Sequence, residues 1–332
     1  MSLLKSLKKR LVYQFIAIVI YETTCDIKVQ RLKNGEIVFE EAKSFEIESK
    51  EKLNDTIIDY LDSLQEIVEQ TYLALFLNTH GQGVVPSCAK SVYDKFHIDF
   101  DSVKHVCINN DYSIYASLID IKWVEKIFDH SGLDFVFSPF LVLNELIQNF
   151  QLSTDTTLYL LSNTNSMTIM IFRGKQFLYG TFVNIAKEED LLDSGFENDT
   201  FSNNSMEDEM MDEMMDEIDL DIDDTEDILN ILETQSTQID ENEEKVVKIK
   251  NKLFGQDLRF VKYLDASLRE FYDSDLYVSD FVNKVIVFDA AKLNVDIIKY
   301  LEDELLVEIE VIPASIDKVL IDLIKKEVGY FA

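Results

Sequence analysis

One order of predicted elements occurs twice in this sequence: three strands, a helix and a further strand. Runs of β-branched and other apolar residues predict the strands, and apolar residues three or four positions apart predict the helices. The first copy places its elements at residues 13–20, 26–33, 36–47, 53–70 and 71–77. The second copy places them at residues 158–161, 167–172, 176–185, 246–274 and 284–288. We therefore expect two similar α/β halves, each built around its own sheet.

The remaining elements fit the same plan. A helix at 295–306, a strand at 308–312 and a helix at 315–328 follow the second copy, and Pro139 is expected to start a helix that bridges the halves. Residues 91–118 are less regular and are interpreted as a small inserted subdomain. Together these elements predict an α/β protein with duplicated ribonuclease-H-like halves that face each other across a cleft.

Acidic residues are concentrated in one segment that interrupts the second half. The formal net charge is −32, and residues 188–244 hold 24 Asp and Glu and no Lys or Arg. The other 275 residues therefore carry only −8, which argues against nucleic-acid binding because phosphate contacts need a basic surface. We expect the insertion to be disordered in isolation. It is either a solvated tether or a segment that captures a basic partner, and the sequence leaves both readings open.

The predicted domain borders follow from these patterns. They are an amphipathic basic N-terminal segment at 1–11, a first half at 12–150 with the small subdomain near 80–118, a second half at 151–187 and 245–332, and the acidic insertion at 188–244.

The N-terminal segment is a candidate membrane or partner contact. One helical face would present Leu3, Leu4 and Leu7, and the basic residues around them are Lys5, Lys8, Lys9 and Arg10. Such a helix can lie on an anionic membrane surface. It can equally pack on the body of the protein or on the acidic insertion.

The cysteines favour a reducing compartment. Cys25, Cys88 and Cys107 are far apart and odd in number, which predicts neither a disulfide framework nor a zinc site. His105 and Cys107 would share a strand face, but no third group orients them, so a structural role is expected. No signal peptide or membrane span is recognised, because the apolar stretch at 11–21 is too short to cross a bilayer.

Several stretches resemble a known family. Residues 15–29, 158–174, 260–274 and 284–313 look like the actin-like proteins PilM and GspL of type IV pilus and type II secretion machines, which are relatives of FtsA. The segments FVKYLDASLREFYDS and DHSGLDFVFSPFLVLNEL are similar to the family's long second-half helix and to its link between halves. The resemblance implies an actin-like ATPase fold.

The loops that bind nucleotide in actin-like ATPases have lost their characteristic residues here. An Asp and a Gly of the first hairpin fall at Val19 and Tyr21, with Glu22 beside them. In the second half the matching Asp and Gly fall at Leu160 and Ser162, and the glycine pair near adenosine falls at Asp289 and Ala290. Glycine lets backbone approach phosphates, and bulk or negative charge opposes them. These positions predict a pseudo-ATPase with no cofactor, no metal and no catalytic residues.

The resemblance implies a non-catalytic cytoplasmic scaffold in a pilus, secretion or DNA-uptake platform, positioned at the inner-membrane face. Its expected partners are the cytoplasmic tail of a PilN-like inner-membrane protein, which PilM holds in a cleft of its first half, and the secretion motor ATPase. Two alternatives stay open. One is a divergent actin-like ATPase, and the other is an acidic adaptor that binds basic proteins.

Overall fold

The computed structural model describes residues 11–150, 154–185 and 259–330. The candidate contact residues from Leu3 to Arg10, the acidic insertion at 188–244 and the predicted helix start at Val246 all lie outside the described residues.

The elements in chain order are β1 (Val12–Ile20), β2 (Thr24–Lys33), β3 (Glu36–Glu46), α1 (Asp55–Ile67), β4 (Gln70–Phe76), β5 (Gln82–Val85), α2 (Lys90–Tyr93), β6 (Val103–Ile108), β7 (Tyr112–Ser117), α3 (Leu118–Ile127), β8 (Phe135–Phe137), α4 (Pro139–Gln148), β9 (Thr156–Asn163), β10 (Ser166–Arg173), β11 (Gln176–Asn184), α5 (259–273), β12 (Lys284–Asp289), α6 (Val295–Leu305), β13 (Glu308–Pro313) and α7 (Ile316–Glu327).

Two five-stranded sheets share one topology, which confirms the predicted duplication. Their strand orders are β3-β2-β1-β4-β8 and β11-β10-β9-β12-β13. In each sheet the first three strands in sequence are antiparallel neighbours, and the fourth strand pairs parallel with the first. The β2–β3 turn is made by Asn34 and Gly35, whose φ angles of 58° and 90° match the left-handed backbone that a tight hairpin requires.

The central strand β1 is buried on both faces, because helices cover the first sheet from both sides. Phe15 and Ala17 point into a core that also contains Tyr159 of the second sheet and buried residues of α4 and α7. Ile16 and Ile18 point the other way, into a core that contains residues of α1 and α3. Successive side chains of a strand alternate between faces, so a continuous apolar run fits only a strand with two covered faces.

Helix α7 joins the two halves. It follows β13 of the second sheet, yet it packs on β1 and β4 of the first sheet. Its residues Leu320 and Ile324 are fully buried in the shared core. Beyond the helix, the ring of Tyr330 meets the ring of Tyr13 edge to face, with centroids 5.1 Å apart.

The irregular region predicted as a small subdomain contains a three-stranded sheet of order β5-β7-β6. The prediction of no disulfide framework is wrong for one pair of cysteines, because Cys88 and Cys107 are bonded with their Cα atoms 5.5 Å apart. Strand pairing brings the two cysteines together: Val85 and Cys107 both lie opposite Ser113 of β7, and Cys88 follows Val85 by three residues. The cysteine argument for a reducing compartment therefore does not apply to this pair.

The other cysteine and histidine of interest have structural surroundings. Cys25 is a free, buried cysteine. The ring of His105 lies 4.6 Å from that of Phe100, between centroids, in an aromatic cluster with Tyr93. Because Cys107 is in a disulfide, His105 and Cys107 do not form a base–nucleophile pair.

Candidate functional site

A cavity of about 370 Å³ lies between the ends of β1 to β3 and the start of α7. It gathers residues that the sequence analysis assigned to former nucleotide loops together with residues that it did not assign. Those that matter most for its chemistry are Val19, Tyr21, Asp26, Lys28, Ala290 and Asp317.

Strand register explains why these side chains share one face. Val19 of β1 lies opposite Asp26 of β2, and Asp26 lies opposite Ser44 of β3. Lys28 is two residues beyond Asp26 on the same strand, so alternation directs both side chains to the face that α7 covers. The pattern of charged residues alternating with Ile27 and Val29 was visible in the sequence, but its significance was missed.

Lys28 connects the first sheet to α7. Its side chain is buried, and its Nζ lies 3.4 Å from Oε1 of Glu40 and 3.3 Å from Oδ2 of Asp317. Asp317 is in the first turn of α7, where a carboxylate is favoured by the helix dipole. The hydroxyl of Ser315 and the backbone N–H of Lys318 also donate to Asp317. The carboxylate of Asp317 thus supplies the negative charge at the start of α7.

Asp26 differs from Lys28 and Asp317 in the contacts of its charged group. Within the described part of the chain, no ion pair or hydrogen bond engages the Asp26 carboxylate, which is half-buried in the cavity wall. Its charge affects the pKa of Tyr21. Burial, together with the negative charges of Asp26 and Asp317, raises the pKa of the Tyr21 phenol to about 12. Tyr21 is therefore a neutral hydroxyl at physiological pH, facing carboxylates.

The second-half loops are closed by internal hydrogen bonds. The carboxylate of Asp289 accepts hydrogen bonds from the Ser162 hydroxyl at 2.7 Å and from the backbone N–H groups of Ala291, Lys292 and Leu293 at 3.0, 2.8 and 3.0 Å. A row of backbone N–H groups of this kind is the usual cradle for a phosphate. Here a carboxylate of the same chain fills it.

The remaining predicted positions are also engaged. Glu22 is ion-paired with Lys50, and the Ala290 N–H donates to the Ser162 carbonyl at 3.0 Å. Leu160 is fully buried in the second-half core against α5 and does not line the cavity. The structure therefore brings Val19, Tyr21 and Ala290 together at the cavity, but not Leu160.

Two further observations concern metals and membranes. Among residues 11–150, 154–185 and 259–330, no group of three or more His, Cys, Asp or Glu side chains is arranged to hold a metal ion. Over the same residues, no helix combines the length and the apolar character that crossing a bilayer requires.

Comparison with sequence families gives two matches. Residues 158–329, more than half of the chain, match the family described as Domain of unknown function (DUF8341). Residues 12–144 match the family described as Domain of unknown function (DUF8569). No curated protein matches the sequence.

Comparison with solved structures shows the fold. A chain of the PilM–PilN type IV pilus biogenesis complex is 12% identical, with 91% of this chain and 88% of that chain covered and a TM-score of 0.51. A Bacteroides thetaiotaomicron protein of actin-like ATPase fold and unknown function is 9% identical, with 97% and 99% covered and a TM-score of 0.46. The chain has an actin-like fold, as the repeated element order predicts.

Proposed function

The chain belongs to the family described as Domain of unknown function (DUF8341), and we propose that it is a non-catalytic scaffold built on the actin-like fold. In this role it positions other proteins and carries out no covalent chemistry. The observation that carries the proposal is the hydrogen-bonded closure of the second-half loops: Asp289, at a position that the resemblance assigns to the glycine pair near adenosine, accepts from the Ser162 hydroxyl and from three successive backbone N–H groups.

Charge at the cavity supports the same proposal. Asp26 and Asp317 line the space between the halves, and Glu22 lies on the adjoining hairpin. A nucleoside triphosphate placed there would meet these carboxylates at close range, which opposes its binding.

We extend the proposal to the partner through the structural likeness to PilM, which was solved with PilN. The proposed partner is the cytoplasmic tail of a PilN-like inner-membrane protein in a pilus, secretion or DNA-uptake platform. The proposed location is the cytoplasmic face of that membrane, with the motor ATPase as a second contact.

The first test is calorimetric titration of the full chain with ATP and magnesium at physiological salt. We expect no binding heat and no thermal shift. Titration with magnesium alone is the necessary control, because 24 acidic residues between 188 and 244 will attract divalent cations without any nucleotide. Micromolar ATP binding above that control would refute the pseudo-ATPase proposal and favour a divergent ATPase.

The composition of the insertion favours a second candidate, an acidic adaptor that binds basic proteins. Pull-down from detergent-solubilised membranes, with the full chain and with a variant lacking residues 188–244, separates the two. A scaffold should retain a single-span membrane protein after the deletion. An adaptor should lose its basic partners.

A further inference from the structure

We propose that the cavity between β1–β3 and α7 receives the cationic side chain of an extended basic segment of a partner protein, with Asp26 as its counter-ion. The inference rests on the proposed function, because it requires that nucleotide does not occupy this space.

The charge count around the cavity favours a cation. The ammonium group of Lys28 is already neutralised by Glu40 and Asp317. The side chain of Lys43 points to the opposite face of β3, where its ammonium group lies over the ring of Tyr60. Asp26 adds a further carboxylate without an ion pair among the described residues. The cavity and its immediate neighbours thus hold three carboxylates and one ammonium group, a net charge of −2.

An anion is disfavoured by the same contacts. The start of α7 is the natural anion site in such a cavity, since its first backbone N–H groups and its dipole attract negative charge. Asp317 already occupies that position and is itself held by Lys28 and Ser315. A bound phosphate would add a negative charge beside Asp26 and Asp317, and the one lysine on this face among the described lining residues, Lys28, is already paired.

The walls suit a side chain that has an apolar stem and a charged end. Small or apolar residues form most of the lining, among them Val19, Ala42, Ala290, Ala314 and Ile316. Lysine and arginine bury their methylene groups against such surfaces while the charged head meets a carboxylate. The volume of about 370 Å³ falls in the range of small ligand pockets.

The approach to the cavity suits an extended chain. Ala42 and Ser44 line it from β3, the edge strand of the first sheet, and both are exposed. Within the described residues β3 pairs only with β2, so its outer row of backbone groups is open to a further strand. A segment that adds to this edge can direct alternate side chains toward Asp26.

The test is photo-crosslinking of the full chain with a benzophenone-tagged peptide, acetyl-Ala-Arg-Ala-Arg-Ala-amide, followed by mass-spectrometric mapping. We expect labelling of β3 and, independently, of the acidic insertion. Asp26→Asn should reduce β3 labelling about tenfold, because one charge-assisted contact contributes roughly 1.4 kcal/mol to binding. Labelling of the acidic insertion should be unchanged. Asp59→Asn, on exposed α1, should change neither.

Two further reagents sharpen the result. Ala42→Trp should fill the cavity and abolish β3 labelling without removing charge, and its melting temperature reports whether it folds. A peptide with citrulline in place of arginine keeps the shape without the charge and should not label β3.

The proposal fails if Asp26→Asn labels β3 as strongly as the unaltered chain, if the citrulline peptide labels β3 equally, or if β3 is not labelled at all. Displacement by spermine at concentrations below those of the arginine peptide would also overturn it and assign the cavity to free polyamines. Competition with ATP and magnesium distinguishes a failure of the proposed function from a failure of this inference alone. Displacement by ATP overturns the proposed function as well, whereas absent labelling without ATP binding overturns this inference alone.

Discussion

The two halves share a strand order, but the carboxylates at their strand ends have different surroundings. In the second half, Ser162 and Asp289 close the gap between β9 and β12 with a dense set of hydrogen bonds. In the first half, Val19 and Asp26 leave a cavity, and Asp26 has no partner within the described residues. Topology therefore fixes where a site can lie, while a few polar side chains decide whether it is sealed or open.

The largest effect is expected where the halves meet. Leu320→Ala in α7 removes a fully buried side chain from the core shared by both sheets and should lower the free energy of unfolding by about 3–5 kcal/mol. Urea denaturation measures the change. Leu306→Ala, at a side chain that is 88% exposed, is the matched control and should change stability by less than about 0.5 kcal/mol. Similar losses for both variants would contradict a shared core.

Asp289→Ala tests the sealed half. It leaves several N–H groups and the Ser162 hydroxyl without their acceptor, so we expect a loss of about 3 kcal/mol in urea denaturation. Asp26→Ala, at a strand end of the first half, should lower the free energy of unfolding by less than about 0.5 kcal/mol because no partner within the described residues is lost. Equal losses of unfolding free energy for the two variants would contradict the proposed difference between the halves.

Lys28→Met tests the link between β2 and α7. It keeps the apolar stem but leaves Glu40 and Asp317 without their shared cation, and both carboxylates are partly exposed, so we expect a loss of about 1–2 kcal/mol. Lys43→Met removes an exposed lysine beside Glu41 and should be nearly neutral. The pair of variants is compared by thermal and urea unfolding.

Tyr21 gives the smallest and most specific effect. Its pKa is near 12 when folded and near 10 when unfolded, so the folded state holds the phenol proton more tightly. The resulting stability is complete below pH 10 and is lost as the pH rises toward 12. Between pH 9 and pH 11 the free energy of unfolding should therefore fall by about 1 kcal/mol less for Tyr21→Phe than for the unaltered chain. Identical pH profiles would show that burial and the nearby carboxylates do not raise the pKa of Tyr21.

Local patterns were enough to predict most of the fold. The apolar run of β1 and the Asn34-Gly35 turn indicate a buried strand and a hairpin by short-range rules, and both are present. The first helix was predicted at 53–70 but spans Asp55–Ile67, because the Asn54 side chain accepts from the Ile57 N–H and caps its start. Such boundary shifts depend on a single side chain.

Contacts between distant residues could not be predicted in the same way. The Lys28–Asp317 pair and the disulfide of the three-stranded sheet depend on where folding brings segments far apart in sequence. The strands β5 and β8 have only four and three residues, too few to show a period. Sequence alone therefore pointed to Val19, Tyr21 and Ala290, which line the cavity, but not to the charged residues that surround them.

The crossing of α7 also sets an order of events during synthesis. Strands β1 to β4 leave the ribosome early, but one face of their sheet is covered by a helix that is made only after the whole second sheet. At roughly 5–20 residues per second, the apolar face of β1 would wait on the order of tens of seconds for its partner. A chaperone that shields this face is therefore expected to raise the yield of folded chain, and truncation before Ile316 to leave an aggregation-prone nascent product.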